Sequence, residues 1–227
     1  MHVDEALRTR ISIRAYADRP VKRETLEEIL DVARWAPSGG NLQPWKVIVV
    51  TGKEREAVSD LATEVLMNDP TGEADEAPVY PKPLWEPFRS RRYKIGEDMY
   101  ALLGIPRDDK PARYAWVANN YRFFGAPVGV FFVIDRNLGR GQWAHLGMFM
   151  QSVALAATAR GLGTCFQESW AMVRKSLHTH FELADDEILY CGMALGWPDE
   201  DAPVNRLRSD RVEVGELARF LGFDETS

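Results

Sequence analysis

Residues 145–159 read His-Leu-Gly-Met-Phe-Met-Gln-Ser-Val-Ala-Leu-Ala-Ala-Thr-Ala, a helical stretch that is apolar on nearly every face. A helix of this kind is buried all round rather than laid on a surface with one wet side. The chain has 227 residues, 45% of them hydrophobic, which is enough for one sizeable core. A helix apolar all round in a chain this small points to a core that continues into a second subunit.

The rest of the pattern fits around that helix. Leu26, Ile29, Leu30 and Ala33 fall at i, i+3, i+4 and i+7, which predicts a helix over residues 22–35, stopped by Pro37. Residues 46–50 read as a buried strand, and Thr51 with Glu54 as a capping box opening a helix with Val58, Leu61, Ala62 and Val65 inward. Residues 128–134, bounded by Pro127 and Asp135, predict a central strand, and residues 188–195 another. A short helix is expected at residues 89–93 and a longer one over residues 110–124. A short strand should follow Gly161-Leu162-Gly163-Thr164, then a helix capped by Ser169 with Trp170, Val173 and Leu177 inward. Few strands, several helices and one wholly apolar helix argue an α+β fold with helices on a central sheet. No repeat, low-complexity run or linker divides the chain, so one domain over residues 1–227 is expected. Residues 68–87 carry Pro70, Pro78, Pro81, Pro83 and Pro87 and read as a long loop, a type that tends to be functional.

Charge narrows the partners. Net charge is −6 and the pI about 5.4, which disfavours general nucleic-acid binding. Arginines at 89–92 and 206–211 can still hold one small anion. Cys165 and Cys191 lie in apolar surroundings with no Cys-x-x-Cys, so both read as buried thiols. His178-Thr179-His180 reads as surface histidines rather than a metal site, because spacing two splits the rings between helix faces. The start has no leader pattern. The longest apolar runs, residues 123–134 and 146–159, fall short of the roughly 20 that span a bilayer. A soluble cytoplasmic protein is expected, with no membrane and no nucleic-acid partner.

Three separated segments carry the chemistry. Arg10, Ser12 and Arg14 alternate, so in extended backbone they point one way. Two guanidiniums and a hydroxyl suit a phosphate and a neighbouring ring edge, although the spacing alone equally describes a solvated strand. Residues 37–45, Pro-Ser-Gly-Gly-Asn-Leu-Gln-Pro-Trp, form a turn of little bulk that a flat ligand can approach closely. By itself it also describes an ordinary polar turn. The third segment is Asn205-Arg206-Leu207-Arg208-Ser209-Asp210-Arg211. Trp85, Phe88, Tyr93 and Trp170 can flank a flat substrate or simply pack.

Five motifs stand in one order: Arg-x-Ser-x-Arg; Ala-Pro-Ser-x-x-Asn-x-Gln-Pro-Trp; residues 120–127; residues 161–168; and Gly196-Trp197-Pro198 with the basic tail. Over nearly the whole chain this resembles the FMN-dependent nitroreductase family, in particular the nitrobenzoate-type and related branches. The resemblance implies a mainly antiparallel sheet flanked by helices in an intertwined homodimer. It implies that Arg10, Ser12 and Arg208 hold the FMN phosphate, with Arg211 as the competing tail position, and that Arg14 lies beside the flavin pyrimidine edge. Pro37, Ser38, Gly39, Asn41 and Gln43 match a segment covering the partner subunit's flavin. Gln167, Glu168 and Ser169 match the loop that meets flavin N5, and Asn119 or Asn120 touches the ring. Phe166 departs from the family, where many relatives have proline. Residues 68–93 are long and match an active-site lid.

The implied activity is ping-pong hydride transfer through flavin N5. NADH or NADPH is the donor, and a nitroaromatic or quinone-like molecule the acceptor. No catalytic nucleophile or base and no metal is expected of the protein. Reductive dehalogenation, enone reduction, flavin fragmentation and a non-catalytic FMN-binding module are the other readings this resemblance leaves open. A cofactor-free structural protein is the reading that would make these arginines mere surface charge.

Overall fold

The computed structural model describes residues 1–73 and 80–223. In chain order the elements are α1 (Val3–Thr9), α2 (Arg23–Ala33), β1 (Lys46–Thr51), α3 (Gly52–Asn68), α4 (Phe88–Leu102), α5 (Lys110–Ala118), β2 (Val128–Asp135), α6 (Arg140–Thr158), β3 (Gly163–Gln167), α7 (Arg174–His180), β4 (Glu187–Gly196) and α8 (Val214–Leu217). The strands form one sheet in the order β1-β2-β4-β3, each pair antiparallel. This is the α+β class expected.

The sheet has a core on each face. Val128, Val130, Phe132 and Ile134 of β2 meet α2 and α6, through Leu26, Ile29, Leu146, Phe149 and Val153. The alternate residues Phe131 and Val133 face Val58, Trp170 and Leu177 on the other side. Because both faces are covered, β2 and β4 read as continuous apolar runs. Phe132 pairs with Cys191 and Val133 with Leu189, so Tyr190 is an extra residue, a bulge that resets which side chains of β4 face which core. Both cysteines are free and buried. Among the described residues, no helix is long and apolar enough to cross a membrane.

Several expectations need correction. Strand β1 is an edge strand rather than a buried one, with Lys46, Val49 and Thr51 exposed. The capping box at Thr51 is not formed. Thr51 is still paired in the sheet with Val128, its side chain makes no capping bond, and Glu54 bonds His180 instead (2.7 Å). The helix over residues 110–124 stops at Ala118 and continues as a 3₁₀ turn, Asn119–Gly125. Phe123 and Phe124 lie there at φ 51° and 53°, a strained conformation offset by the near-complete burial of both rings. The short helix at residues 89–93 is the start of the 15-residue α4. Ser169 caps nothing, for it sits inside a 3₁₀ turn, Glu168–Val173. The first amides of α7 are taken by the Glu73 carboxylate, with Lys175 N at 2.7 Å and Ser176 N at 3.1 Å.

Helix α6 is not covered all round by its own chain. Leu146, Phe149, Met150, Val153 and Ala157 are buried, whereas Ala144, Gly147 and Met148 form an exposed stripe. Of the expected lid at residues 68–93, residues 74–79 lie outside the described residues.

Candidate active site

The N-terminal arginines are placed by the end of α1 and the edge of β3. Arg10 closes α1, its N–H bonding Ala6 O (3.0 Å). The chain then runs extended beside β3, with Ser12 bridged to Thr164 and Ile13 N donating to Thr164 O (2.9 Å). This approach requires Gly163, because a Cβ there would lie 2.5 Å from Ile13 Cγ1.

Asn205 ties the C-terminal tail to the same segment. Its Oδ1 accepts from Arg14 N (2.8 Å), and its Nδ2 donates to Ala15 O and Asp199 O (both 2.8 Å). It is buried and sits in the turn Pro203–Arg206. The sequence reading gave Asn205 no role, and an asparagine beside a basic run carries no signal of one. The clamp needs a contact across 191 residues.

The result is a cleft of about 500 Å³ lined by Arg10, Ser12, Arg14, Arg208 and Arg211, with Ile95 of α4 on its wall. Among the described residues, none of these four guanidiniums forms an ion pair with a carboxylate. Arg208 donates to Asn205 O (3.2 Å) and Leu207 O (3.1 Å), and Arg211 to Ser209 O (3.1 Å) and Asp210 O (2.8 Å). Asp4, also in the lining, sits within ion-pair range of His2 (3.7 Å). Burial, and then the charge of Arg211, pull the Arg10 pKa below its usual value, with Cys165 opposing. Cationic groups held together without a counter-charge, beside a hydroxyl, make an anion site. The Cys165 thiol lies beneath it. Burial pushes it up, opposed by the Arg14 charge and a hydrogen bond with Ser12.

The turn at residues 37–43 lies outside this cleft. Ser38 Oγ accepts from Gln43 N (2.9 Å) and Ser38 O from Asn41 N (2.9 Å), winding a turn in which Gly40, Asn41 and Gln43 all have positive φ. Pro37, Gly39, Asn41 and Gln43 are thereby left exposed. The turn rests on α6, with Gly39 N donating to His145 Nδ1 (3.3 Å), and Trp45 anchors it by stacking on Phe149 (4.8 Å, 5°). His145 and Trp45 are supports that the sequence reading did not assign.

The end of β3 and the segment after it also lie outside the cleft lining. Gln167 is fully buried, its Nε2 donating to Asn120 O (2.6 Å), so its side chain is structural. Asn120 Nδ2 turns back to Val117 O (2.8 Å). Glu168 is half-buried and accepts a hydrogen bond from the Tyr190 hydroxyl. Burial holds its carboxyl above the usual range, and the Tyr190 bond opposes this. Ser169 Oγ and Thr164 Oγ1 are buried without a partner among the described residues. Trp170 cannot flank a substrate, because it is fully buried in the core among Tyr121, Phe123 and Phe131. Phe166 packs toward Phe132 (6.3 Å). His178 and His180 point to separate partners, Ala184 O and Glu54.

A second cleft, of about 940 Å³, adjoins the first and shares Ile95, Ser209 and Arg211 with it. Tyr80, Trp85, Phe88, Arg91 and Arg92 form its wall.

Comparison with known proteins agrees with this geometry. The family described as "Nitroreductase family" matches residues 7–197. A nitrobenzene nitroreductase of Ectopseudomonas oleovorans is 38% identical over 219 residues, 96% of each chain. A 4-nitrobenzoate reductase of Pseudomonas putida is 39% identical, over 97% of this chain and 96% of the other. The crystal structure of an FMN and NADPH-dependent nitroreductase, NfnB from sphigopyxis sp. strain HMH, superposes with a TM-score of 0.94 at 46% identity, covering 98% of this chain and 100% of that one. By its folded core, its cationic cleft and these matches, the chain belongs to the nitroreductase family.

Proposed function

We propose that this chain is an FMN-dependent oxidoreductase that takes electrons from a reduced nicotinamide, NADPH in preference, and reduces nitroaromatic or quinone-like acceptors. One observation carries the reading: Arg8, Arg10, Arg14, Arg208, Arg211 and the Ser12 hydroxyl line one cleft whose single acid, Asp4, lies toward His2, and among the described residues none of these guanidiniums forms an ion pair. An otherwise acidic chain has no folding reason to gather them, because like charges held at close range raise its energy. A bound phosphate removes that cost.

The residues fit FMN. Arg10, Ser12 and Arg208 would hold its phosphate. Arg14, fixed by Asn205 through its own N–H, would place a permanent positive charge beside the pyrimidine edge, where negative charge gathers on reduction. Arg211 would complete the phosphate site or serve the adjoining cleft. Gln167 ends β3 and Glu168 follows it, and the buried Gln167 side chain ties this point to Asn120 O. When bound, FMN supplies hydride and electron transfer between donor and acceptor. The chain's own task is to bind, orient and exclude water.

We place the active form in a homodimer. The exposed α6 stripe and the exposed apolar tail, Val214, Leu217, Phe220 and Leu221, support this, since an uncovered apolar area of this kind marks an interface. Pro37, Ser38, Gly39, Asn41 and Gln43 would cover the cofactor held by the partner. The chain acts as one domain over residues 1–227 in the cytoplasm, with the 68–93 region as its lid.

The test is an absorbance spectrum of the purified protein, repeated without oxygen after adding NADPH and then nitrobenzene. Flavin bands that bleach with NADPH and return with nitrobenzene are expected. A protein that stays colourless after incubation with FMN, or a flavin that NADPH does not bleach, overturns the reading.

A further inference from the structure

We propose that the second cleft receives the 2′-phosphoadenosine end of the nicotinamide donor, with Arg91 and Arg92 holding the 2′-phosphate. This deepens the functional reading above and rests on it for the identity of the donor.

The charges in this cleft are unevenly committed. Just outside its lining, Arg89 is taken by Glu86 (2.7 Å). Lys94 is taken by Asp98 (2.6 Å) and Asp210 (2.9 Å), which occupies both of those acids. Arg91 and Arg92 are exposed in the first turns of α4 and have no carboxylate partner among the described residues. Glu216 is the remaining acid of the lining. Two free guanidiniums, with Arg211 at the shared wall, therefore face one acid.

The same wall is aromatic. The Arg92 guanidinium lies over the Tyr80 ring at 4.7 Å, and Trp85 meets Phe88 edge to face at 5.7 Å. Nothing in the described chain covers Trp85 or Phe88, which are about half exposed. A flat heterocycle stacks on surfaces of this kind, and the adjacent arginine adds a cation–π contact.

Size and position select the ligand. Cavities of about 300–1,000 Å³ accommodate molecules of drug size, so about 940 Å³ is far more than a single-ring acceptor fills. The shared residues Ile95, Ser209 and Arg211 place the two clefts side by side. A ligand here is long, carries an aromatic ring and bears an anion that meets Arg91 and Arg92. A dinucleotide with a 2′-phosphate has all three. A phosphate monoester carries about −1.5 to −2 at neutral pH, which suits two guanidiniums better than a single carboxylate does.

The probe is adenosine 2′,5′-bisphosphate, titrated calorimetrically into the FMN-loaded protein beside 5′-AMP. The bisphosphate should bind about 10- to 100-fold more tightly, the range that one or two charge-assisted hydrogen bonds supply. In the double variant Arg91→Ala/Arg92→Ala that ratio should fall toward one. The KM for NADPH should rise by a similar factor, with the KM for NADH unchanged. Both residues are exposed, so the melting temperature should not move. Equal affinity for the two nucleotides, or a ratio that survives in the double variant, overturns the proposal. So does a double variant that loses affinity for 4-nitrobenzoate and keeps it for the bisphosphate. These outcomes are separate from the functional reading, which stands or falls on bleaching of the flavin by saturating donor.

Discussion

Gly192→Ala is the sharpest structural test of how the site is supported. A Cβ at Gly192 would lie 2.2 Å from Trp170 Cδ1 and 2.7 Å from its Nε1. Carbon atoms rest at about 3.5–4.0 Å, so the indole must retreat by more than an ångström. It has nowhere to go. Phe123, Phe131 and Tyr121 surround it with centroids at 4.8, 5.1 and 5.4 Å, and its N–H faces Gln167 Oε1 at 3.4 Å. Overpacking of this kind costs about 1–3 kcal/mol. In a chain of this length each kcal/mol moves Tm by about 2–4 °C, so a fall of about 2–12 °C is expected. Gly192 is also the ladder partner of Gln167, so the push is delivered to the segment proposed to lie against the flavin. FMN should be lost faster on dialysis. A cycle with Trp170→Leu checks the cause by thermal melting. Removing the ring should cost less in the Gly192→Ala background, with a coupling of about 1 kcal/mol or more. An unchanged Tm for Gly192→Ala, or strictly additive effects, would refute the seating of Trp170 on Gly192.

Two further substitutions address the ends of the site. Burial raises the folded-state pKa of Glu168, so as pH rises from acid the unfolded chain releases this proton first, and stability falls until the folded pKa is passed. Glu168→Gln, which still accepts from Tyr190, should abolish that loss. Urea titrations of the FMN-free protein should show its advantage over the parent growing through the carboxylate range and then levelling, and an advantage that is flat with pH counts against the assignment. Asn205→Ala leaves the Arg14 N–H and the Asp199 carbonyl without this partner, while Ala15 O keeps its bond from Asp199 N, a cost of about 2–6 kcal/mol at about 1–3 per buried group. Denaturation and FMN retention should both worsen, and Asn205→Asp, which keeps the bond from Arg14 N, should recover part of each. Intact FMN retention in Asn205→Ala would remove its proposed role as the clamp between strand and tail.

Much of the architecture was legible because it follows from period and composition. The runs at residues 128–134 and 188–195 are strands because both faces of the sheet are covered, and the stripe Leu26, Ile29 and Ala33 is helical because it has one core to face. Arg10, Ser12, Arg14 and Arg208 were legible as a group through motif order, and they do line one cleft. What was not legible depends on tertiary contacts. Phe123 and Phe124 break a helix-like pattern because their burial outweighs local preference. Thr51 loses its cap to a β-ladder, and Trp170, which reads as a candidate substrate platform, is consumed by the core. Glu73 is invisible in sequence as the cap of α7, since the two meet across about a hundred residues.

Net charge predicts little about either cleft, because most of the acids near them are already paired. Glu86 is bound to Arg89, and Glu97 holds Arg113 through two bonds of 2.6 and 3.1 Å. Asp98 and Asp210 share Lys94, whose pKa is raised to about 12, first by its bond to Asp98 and then by that to Asp210. The Arg89 and Lys94 pairs are exposed and contribute little stability, whereas the Arg113–Glu97 pair is part-buried. Their consequence is local. Each removes a carboxylate that would otherwise compete with a ligand for Arg91, Arg92, Arg208 or Arg211. A chain of net charge −6 thereby keeps two adjoining cationic clefts open. The ligands that fill them must bring negative charge at two separated points, which is the demand that FMN in the first cleft and a 2′-phosphorylated donor in the second meet and a small neutral arene does not.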